Sequence, residues 1–335
     1  MSADTLRTPI KQVSPFLLAR AVVTSVERVS PNFVRVTFGG EEIADLGTPG
    51  HMLDQRIKLI FPSDGLPLPS LAGTADWYQE WLALPEESRG SMRTYSIRDL
   101  ATGAAESGAA DSPDAAHSAH AAATTLTVDF VLHLDPTATG PASRWASNAA
   151  PGAEILVLGP RRDRFDGGGI EYLPGDAQSI LLAGDETAAP AIARILEDSP
   201  AGTRGAAFIE VPEAGDILSI AAPAGVEITW LPRGGRAHGE ALIPAVLAHL
   251  GSSTTSVAPV QESLPDDELL WETPTFSGLG EETTETPNHA DRYFWIAGES
   301  GVVTTLRRHL VKGLGIDRSQ VAFMGYWRKG VAMRG

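Results

Sequence analysis

The run Met92-Arg93-Thr94-Tyr95-Ser96-Ile97-Arg98 brings a guanidinium, an aromatic ring and two hydroxyls together on one short stretch of chain. In an extended strand Arg93 and Tyr95 project to one face, and Thr94 and Ser96 take the other. A guanidinium suits a pyrophosphate, a phenol ring can cover an isoalloxazine face, and a hydroxyl can bond a flavin's polar edge. Such a strand end is able to position a flavin. A solvated edge strand carries similar residues, so the run needs support from elsewhere in the chain.

That support comes from three further segments. Val128-Asp129-Phe130-Val131-Leu132-His133 alternates as a strand, which sets Asp129, Val131 and His133 on one face. Gly140-Pro141-Ala142-Ser143-Arg144-Trp145-Ala146 reads as a loop entering a helix, and unpaired amides at a helix start form an anion site. The plainer readings are an ordinary polar strand face and a capped surface helix. Ser179 to Ile192 is an apolar strand, a turn at Gly184-Asp185-Glu186-Thr187 and a helix opening; Tyr293 to Gly301 repeats the design with Gly298, Glu299 and Ser300. Turns at the carboxyl ends of such strands are where a doubly wound sheet binds a dinucleotide, although the fuller glycine fingerprint is absent.

These residues need two kinds of scaffold. Runs at Ala21 to Val29, Asn32 to Phe38, Arg56 to Phe61, Arg93 to Ile97, Thr125 to His133 and Glu154 to Leu158, with a turn at Pro31-Asn32, predict a small antiparallel β-barrel. After Gly167-Gly168-Gly169 the apolar strands Ser179 to Ala183, Gly205 to Val211, Glu227 to Trp230, Tyr293 to Ala297 and Gln320 to Gly325 alternate with helical stretches. That alternation predicts a C-terminal α/β domain with a doubly wound parallel sheet. The expected domains are 16–165 and 176–335. Each contains one low-complexity stretch, 101–123 and acidic 251–289, whose composition predicts disorder and dispensability for folding. His117 and His120 fall in the first of these and are expected to be solvated.

Composition narrows the chemistry. The 335 residues contain no cysteine, which removes disulfides, thiolate zinc sites and iron–sulfur clusters, so redox work requires a bound cofactor. The formal charge of −16 argues against nucleic-acid and anionic-membrane partners. No signal-peptide pattern opens the chain and no apolar run of about 18 residues occurs, so a cytoplasmic protein without membrane insertion is expected.

In order and spacing, the segments above resemble the siderophore-interacting protein family, flavin-dependent ferric-siderophore reductases of the ferredoxin reductase superfamily. Asp54 to Pro62 and Gly325 to Gly330 resemble the family's Lys-bearing strand and its basic, aromatic last strand. The resemblance implies FAD held by Arg93, Thr94, Tyr95, Ser96, Asp129, Val131, His133, Pro141, Ala142, Ser143 and Trp145. It further implies NADH or NADPH as electron donor at Gly184, Asp185, Glu186, Thr187, Gly298, Glu299 and Ser300, with the acidic residues leaning towards NADH. A ferric siderophore would then be captured by Lys58, Arg328, Lys329 and one of Arg161 and Arg162, a local basic patch in an acidic protein. After its strand the chain runs Leu134-Asp135-Pro136 where the family has a glycine, so that loop departs from the pattern. No protein acid, base or resident metal is implied. The alternatives are a general flavin reductase, a reductase fed by ferredoxin, and a non-catalytic siderophore-binding protein.

Overall fold

Fifteen residues, Phe16–Ser30, form β1, in which Leu17, Ala19, Ala21 and Val23 turn inward. The chain reverses at Pro31-Asn32 into β2 (Phe33–Gly39), then forms β3 (Arg56–Phe61), α1 (Trp77–Ala83), β4 (Ser91–Ser96), β5 (Asp99–Ala101), β6 (Thr125–Val131), α2 (Pro141–Ser147) and β7 (Glu154–Pro160). The computed structural model describes residues 14–71, 76–102, 123–132, 139–164, 166, 168–252, 269–274, 276–277 and 291–331.

All pairings in this first sheet are antiparallel, and the strand order is β4-β3-β7-β1-β2-β6-β5. Its two outermost strands, β4 and β5, are consecutive in the chain with Ile97 and Arg98 between them. The sheet therefore has to curl until its edges meet. Ile97 N–H donates to the Gln55 carbonyl and Arg98 N–H to that of Thr127, each at 2.9 Å, which stitches the seam. Inside, Phe61 packs against Trp145 at 5.2 Å and Tyr95 against Phe130 at 4.7 Å between ring centroids. The expected barrel is thus present, with β5 and α1 as additional elements.

The second sheet comprises β8 (Ser179–Gly184), β9 (Arg204–Val211), β10 (Gly225–Pro232), β11 (Trp271–Thr273), β12 (Phe276–Ser277), β13 (Arg292–Glu299) and β14 (Val321–Trp327), in the order β10-β9-β8-β13-β14-β11-β12. From β10 to β14 all pairings are parallel. Helix α3 (Ala189–Asp198) covers the face of Ile180, Leu182, Ala207 and Ile209. Helices α4 (Leu242–His249) and α5 (Ser300–Arg307) cover the opposite face, built from Leu181, Ala183, Ala206 and Phe208. Successive residues of one strand thus feed two cores, as a doubly wound sheet demands. The chain winds outward in opposite directions from β8 and β13, which makes their junction the topological switch point.

One expectation fails. The acidic stretch 251–289 contributes β11, antiparallel to β14, and β12, so it is not uniformly structureless. Glu272 of β11 is buried and its Oε2 accepts from Arg307 Nε on α5 at 2.6 Å. Most of 101–123 lies outside the described residues, although Ala101 belongs to β5.

Carboxylates join the two sheets. Asp54, beside β3, accepts from the amides of Glu171 and Tyr172 and from Trp295 Nε1 on β13 at 2.9 Å. Asp216 accepts from Ser30 Oγ at 2.7 Å and from Asn32 N at 2.9 Å. Apolar packing continues across the same boundary, where Phe33 and Val131 of the barrel join the α3 core.

Candidate functional site

Between the sheets lies a cleft of about 940 Å³. Its barrel wall is Arg93, Thr94, Tyr95 and Ser96 of β4, Asp129 and Val131 of β6, and the 139–143 stretch entering α2; Thr187, Pro190, His238, Trp271 and 325–331 face them. The alternation of β4 accounts for its part of this wall. Met92 turns into a satellite core with Ile60 and Trp81, while Arg93, next along, reaches the cleft.

Arg93 Nη1 donates to the Met92 carbonyl at 2.7 Å, and no described carboxylate pairs with its guanidinium. Partial burial lowers its pKa, so an anion placed there would gain from weak screening. Tyr95 is partly buried on the cleft wall, and burial drives its phenol pKa upward. Trp145 does not line the cleft; its ring fills the barrel between Phe38, Phe61 and Phe130. Asp129 reaches the wall with both oxygens already engaged by Arg35, at 2.7 and 2.8 Å. His133 lies outside the described residues.

At the switch point the chain is tightly packed. A Cβ on Gly184 would stand 2.5 Å from the Ala188 Cβ, and one on Gly298, whose φ is +136°, would stand 2.7 Å from the Asp185 carboxylate. That carboxylate accepts from the Thr187 amide at 2.9 Å, the Glu299 amide at 2.7 Å and Trp327 Nε1 at 2.9 Å. Burial, with the charge of Glu186 next to it, raises its pKa to about 6. Glu186 moves the other way, to about 2, because bonds from His238 and Arg233 outweigh its burial. The Arg233 fork meets it at 2.6 and 2.9 Å. Glu299 caps α5 through the Val302 amide at 3.0 Å. Ser300 is buried. Of the expected nucleotide residues Thr187 alone lines the cleft, and the acids serve internal bonds, which removes the basis for preferring NADH over NADPH.

The expected basic patch divides. Arg328 and Lys329 line the cleft. Lys58 stands behind the wall, with Nζ 3.2 Å from Thr94 Oγ1, and burial together with nearby Arg56 lowers its pKa. Arg161 pairs with Asp45 at 3.1 Å, and Arg162 Nη2 donates to the Ala44 carbonyl at 2.8 Å. Neither lines the cleft, because both are used where the chain leaves β7. Sequence reasoning missed Arg56, His238, Trp271, Tyr326 and Trp327 as cleft residues. The signal for Trp271 was an apolar island, Leu269-Leu270-Trp271, within an otherwise polar stretch. Arg56 lies over the Trp271 ring, 4.3 Å from its centroid.

Among the described residues no cluster of His, Asp and Glu suits a metal ion, and no helix is long and apolar enough to cross a membrane. The family model described as Siderophore-interacting FAD-binding domain matches residues 22–109 and 115–164, and the one described as Siderophore-interacting protein matches 177–330. An uncharacterized protein of Mycobacterium tuberculosis (strain H37Rv) is 30% identical over 313 residues, covering 92% of this chain and 89% of its own length. The NADPH-dependent ferric-chelate reductase of Escherichia coli K12 is 26% identical over 328 residues, 97% of this chain and 98% of that protein. A siderophore utilization protein from T. fusca superimposes with a TM-score of 0.62 at 28% identity, covering 97% of each chain. A two-sheet fold closing on one cleft, with each sheet matched by its own family model and a relative aligned along most of both lengths, has one explanation: the chain belongs to the siderophore-interacting protein family.

Proposed function

We propose that this protein is an FAD-dependent NAD(P)H:ferric-siderophore reductase, with the flavin held by the domain at 16–165 and the nicotinamide nucleotide received by the domain at 176–335. The observation that carries the reading is the position of Arg93, a half-buried guanidinium with no acidic partner among the described residues, on the same cleft as Thr187 at the switch point and Arg328 and Lys329 at the end of β14. A flavin fits this donor set. Arg93 would hold the pyrophosphate, Thr94 and Ser96 would offer hydroxyls to its polar groups, Tyr95 would flank the ring, and Pro141, Ala142 and Ser143 would keep the wall narrow. A bound flavin supplies the exchange between a two-electron donor and one-electron acceptors.

The remaining tasks belong to the chain. The turn at Gly184 and Thr187 lies where a doubly wound sheet receives a nucleotide. Arg328 and Lys329 would attract an anionic ferric chelate against the global charge of −16. Two chelates, each taking one electron, balance one nucleotide. Oxygen donors hold Fe(II) less strongly than the harder Fe(III), so reduction loosens the iron. The E. coli relative's name, NADPH-dependent ferric-chelate reductase, supports the same reading.

A visible spectrum of the purified protein tests it. A flavin spectrum bleached under argon by NADH or NADPH and restored by a ferric siderophore is the expected result. Bleaching by reduced ferredoxin alone would favour a ferredoxin-fed enzyme. Absence of flavin from protein supplied with FAD would favour a binding protein.

A further inference from the structure

Arg98, at the end of the β4 run, does not line the main cleft. With Arg35, Asp99, Thr127, Arg194 and Glu197 it borders a separate depression of about 420 Å³. Its guanidinium bridges the two sheets: Nη1 and Nη2 donate to Oε2 and Oε1 of Glu197 on α3, each at 2.7 Å. This fork is mostly shielded, with side-chain exposures of 13% and 18%. On the barrel side Arg98 Nε lies 3.7 Å from Asp129 Oδ2, and Asp129 is itself gripped by Arg35. Arg98 therefore links Asp129 on the cleft wall to Glu197 on α3.

The far end of α3 carries further ties to the barrel. Arg194 Nη1 lies 3.2 Å from Asp99 Oδ1, and Asp198 Oδ2 accepts from the amides of Met52 at 2.8 Å and Leu53 at 2.9 Å. The other end of the same helix brings Pro190, with Thr187 just before it, to the main cleft. A ten-residue helix is a stiff rod about 15 Å long, so fixing one end fixes the other. On the barrel side Arg98 follows cleft-lining Ser96 by two residues, across the stitched seam. Of the ties between the two sheets, the Arg98–Glu197 fork is thus one that joins a strand end on the flavin wall to the helix that carries the nucleotide wall.

We infer that Arg98 and Glu197 are positioning residues for electron transfer from the nicotinamide nucleotide to the flavin, an inference that rests on the reading given under Proposed function. The clamp touches neither group. Together with the other ties between the sheets it would hold their separation, on which transfer depends steeply. Planar fork geometry is essential to it, so Lys cannot replace Arg98.

The test compares wild type with Arg98→Gln, Arg98→Lys, Glu197→Gln and the double variant Arg98→Gln/Glu197→Gln. Each variant is expected to retain its flavin and to bind NADP+ or NAD+ by calorimetry within about twofold. Anaerobic stopped-flow bleaching should slow about tenfold or more, since misplacement by about 1 Å can cost 10²-fold. The double variant should be no slower than either single one, because both remove the same contact. A second readout does not use the flavin. The chain has no native cysteine, so spin labels on Glu41→Cys and Ala201→Cys, both exposed, report the distance between the sheets. Arg98→Gln should broaden that distribution. Unchanged bleaching, or slowing matched by lost nucleotide binding, would overturn the inference. If wild type is not bleached by either nucleotide, the underlying reading fails instead, and an unbroadened label distance would dispose of the clamp independently.

Discussion

Glu272 and Arg307 form a buried ion pair, 2.6 Å from Oε2 to Nε, that fastens β11 to α5 across an edge of the second sheet. The side chains are 1% and 3% exposed, so the pair is shielded from solvent screening. Replacing Arg307 by Ala would leave the Glu272 carboxylate buried without its cation. We expect a loss of about 3–5 kcal/mol in urea unfolding. Excising 269–277 should be comparably harmful, whereas a variant of wild-type stability would mean that the hairpin is ornamental.

Arg93→Ala should reduce FAD affinity about tenfold or more, corresponding to the roughly 1.5–3 kcal/mol of a hydrogen bond to a charged group. Because Arg93 bonds only the neighbouring Met92 carbonyl among the described residues, its removal should leave the melting temperature of the flavin-free protein nearly unchanged. FAD retention after long dialysis is the measurement, and full occupancy would refute the assigned role.

Replacing Arg328 and Lys329 together by Ala should raise KM for an anionic ferric chelate and flatten its dependence on salt, with bleaching by the nucleotide unaffected. A catecholate complex should suffer more than a neutral hydroxamate complex. Adding Lys58→Ala should contribute less, since Lys58 stands behind Thr94. Equal losses for both chelates would refute charge capture.

Asp54 gives a pH signature. Burial raises its carboxyl to about 6 despite bonds from Trp295, Tyr172 and Glu171. The folded protein therefore binds the proton more tightly than the unfolded chain, whose carboxyl titrates near the ordinary aspartate value of 3.8. The associated stability is fully present below that lower value and is lost as pH rises through about 6. Melting temperature measured across this window should fall less steeply in Asp54→Asn than in wild type. Asp185, also raised to about 6, adds to the wild-type slope and remains in the variant. Identical slopes would show that Asp54 does not titrate in this range.

The barrel and the doubly wound sheet were legible because their strands are long enough for burial to leave a period: β1 alternates, and β8, β9 and β13 are apolar almost throughout. At three residues each, β5 and β11 are too short to leave one. Residue type brought Arg93, Tyr95, Arg328 and Lys329 to the cleft correctly, since each stands at or beside the end of a recognisable strand. It also brought Asp129 to the cleft but not its partner Arg35, which is 94 positions away and is delivered only by the β2–β6 register. For the same reason Arg161 and Arg162 looked available, although backbone carbonyls and Asp45 at the start of the barrel absorb them.

The strand orders also determine what synthesis can complete, and when. All seven barrel strands have left the ribosome once residue 160 and a tunnel's length of chain have followed, so the barrel can close while the remainder is still being made. The second sheet cannot. Its β8 is finished at residue 184, but its central neighbour β13 begins only at 292, and the β14 strand that shelters β11 ends at 327. For more than a hundred residues of elongation β8 therefore offers a bare apolar edge, the kind of surface through which a nascent chain aggregates.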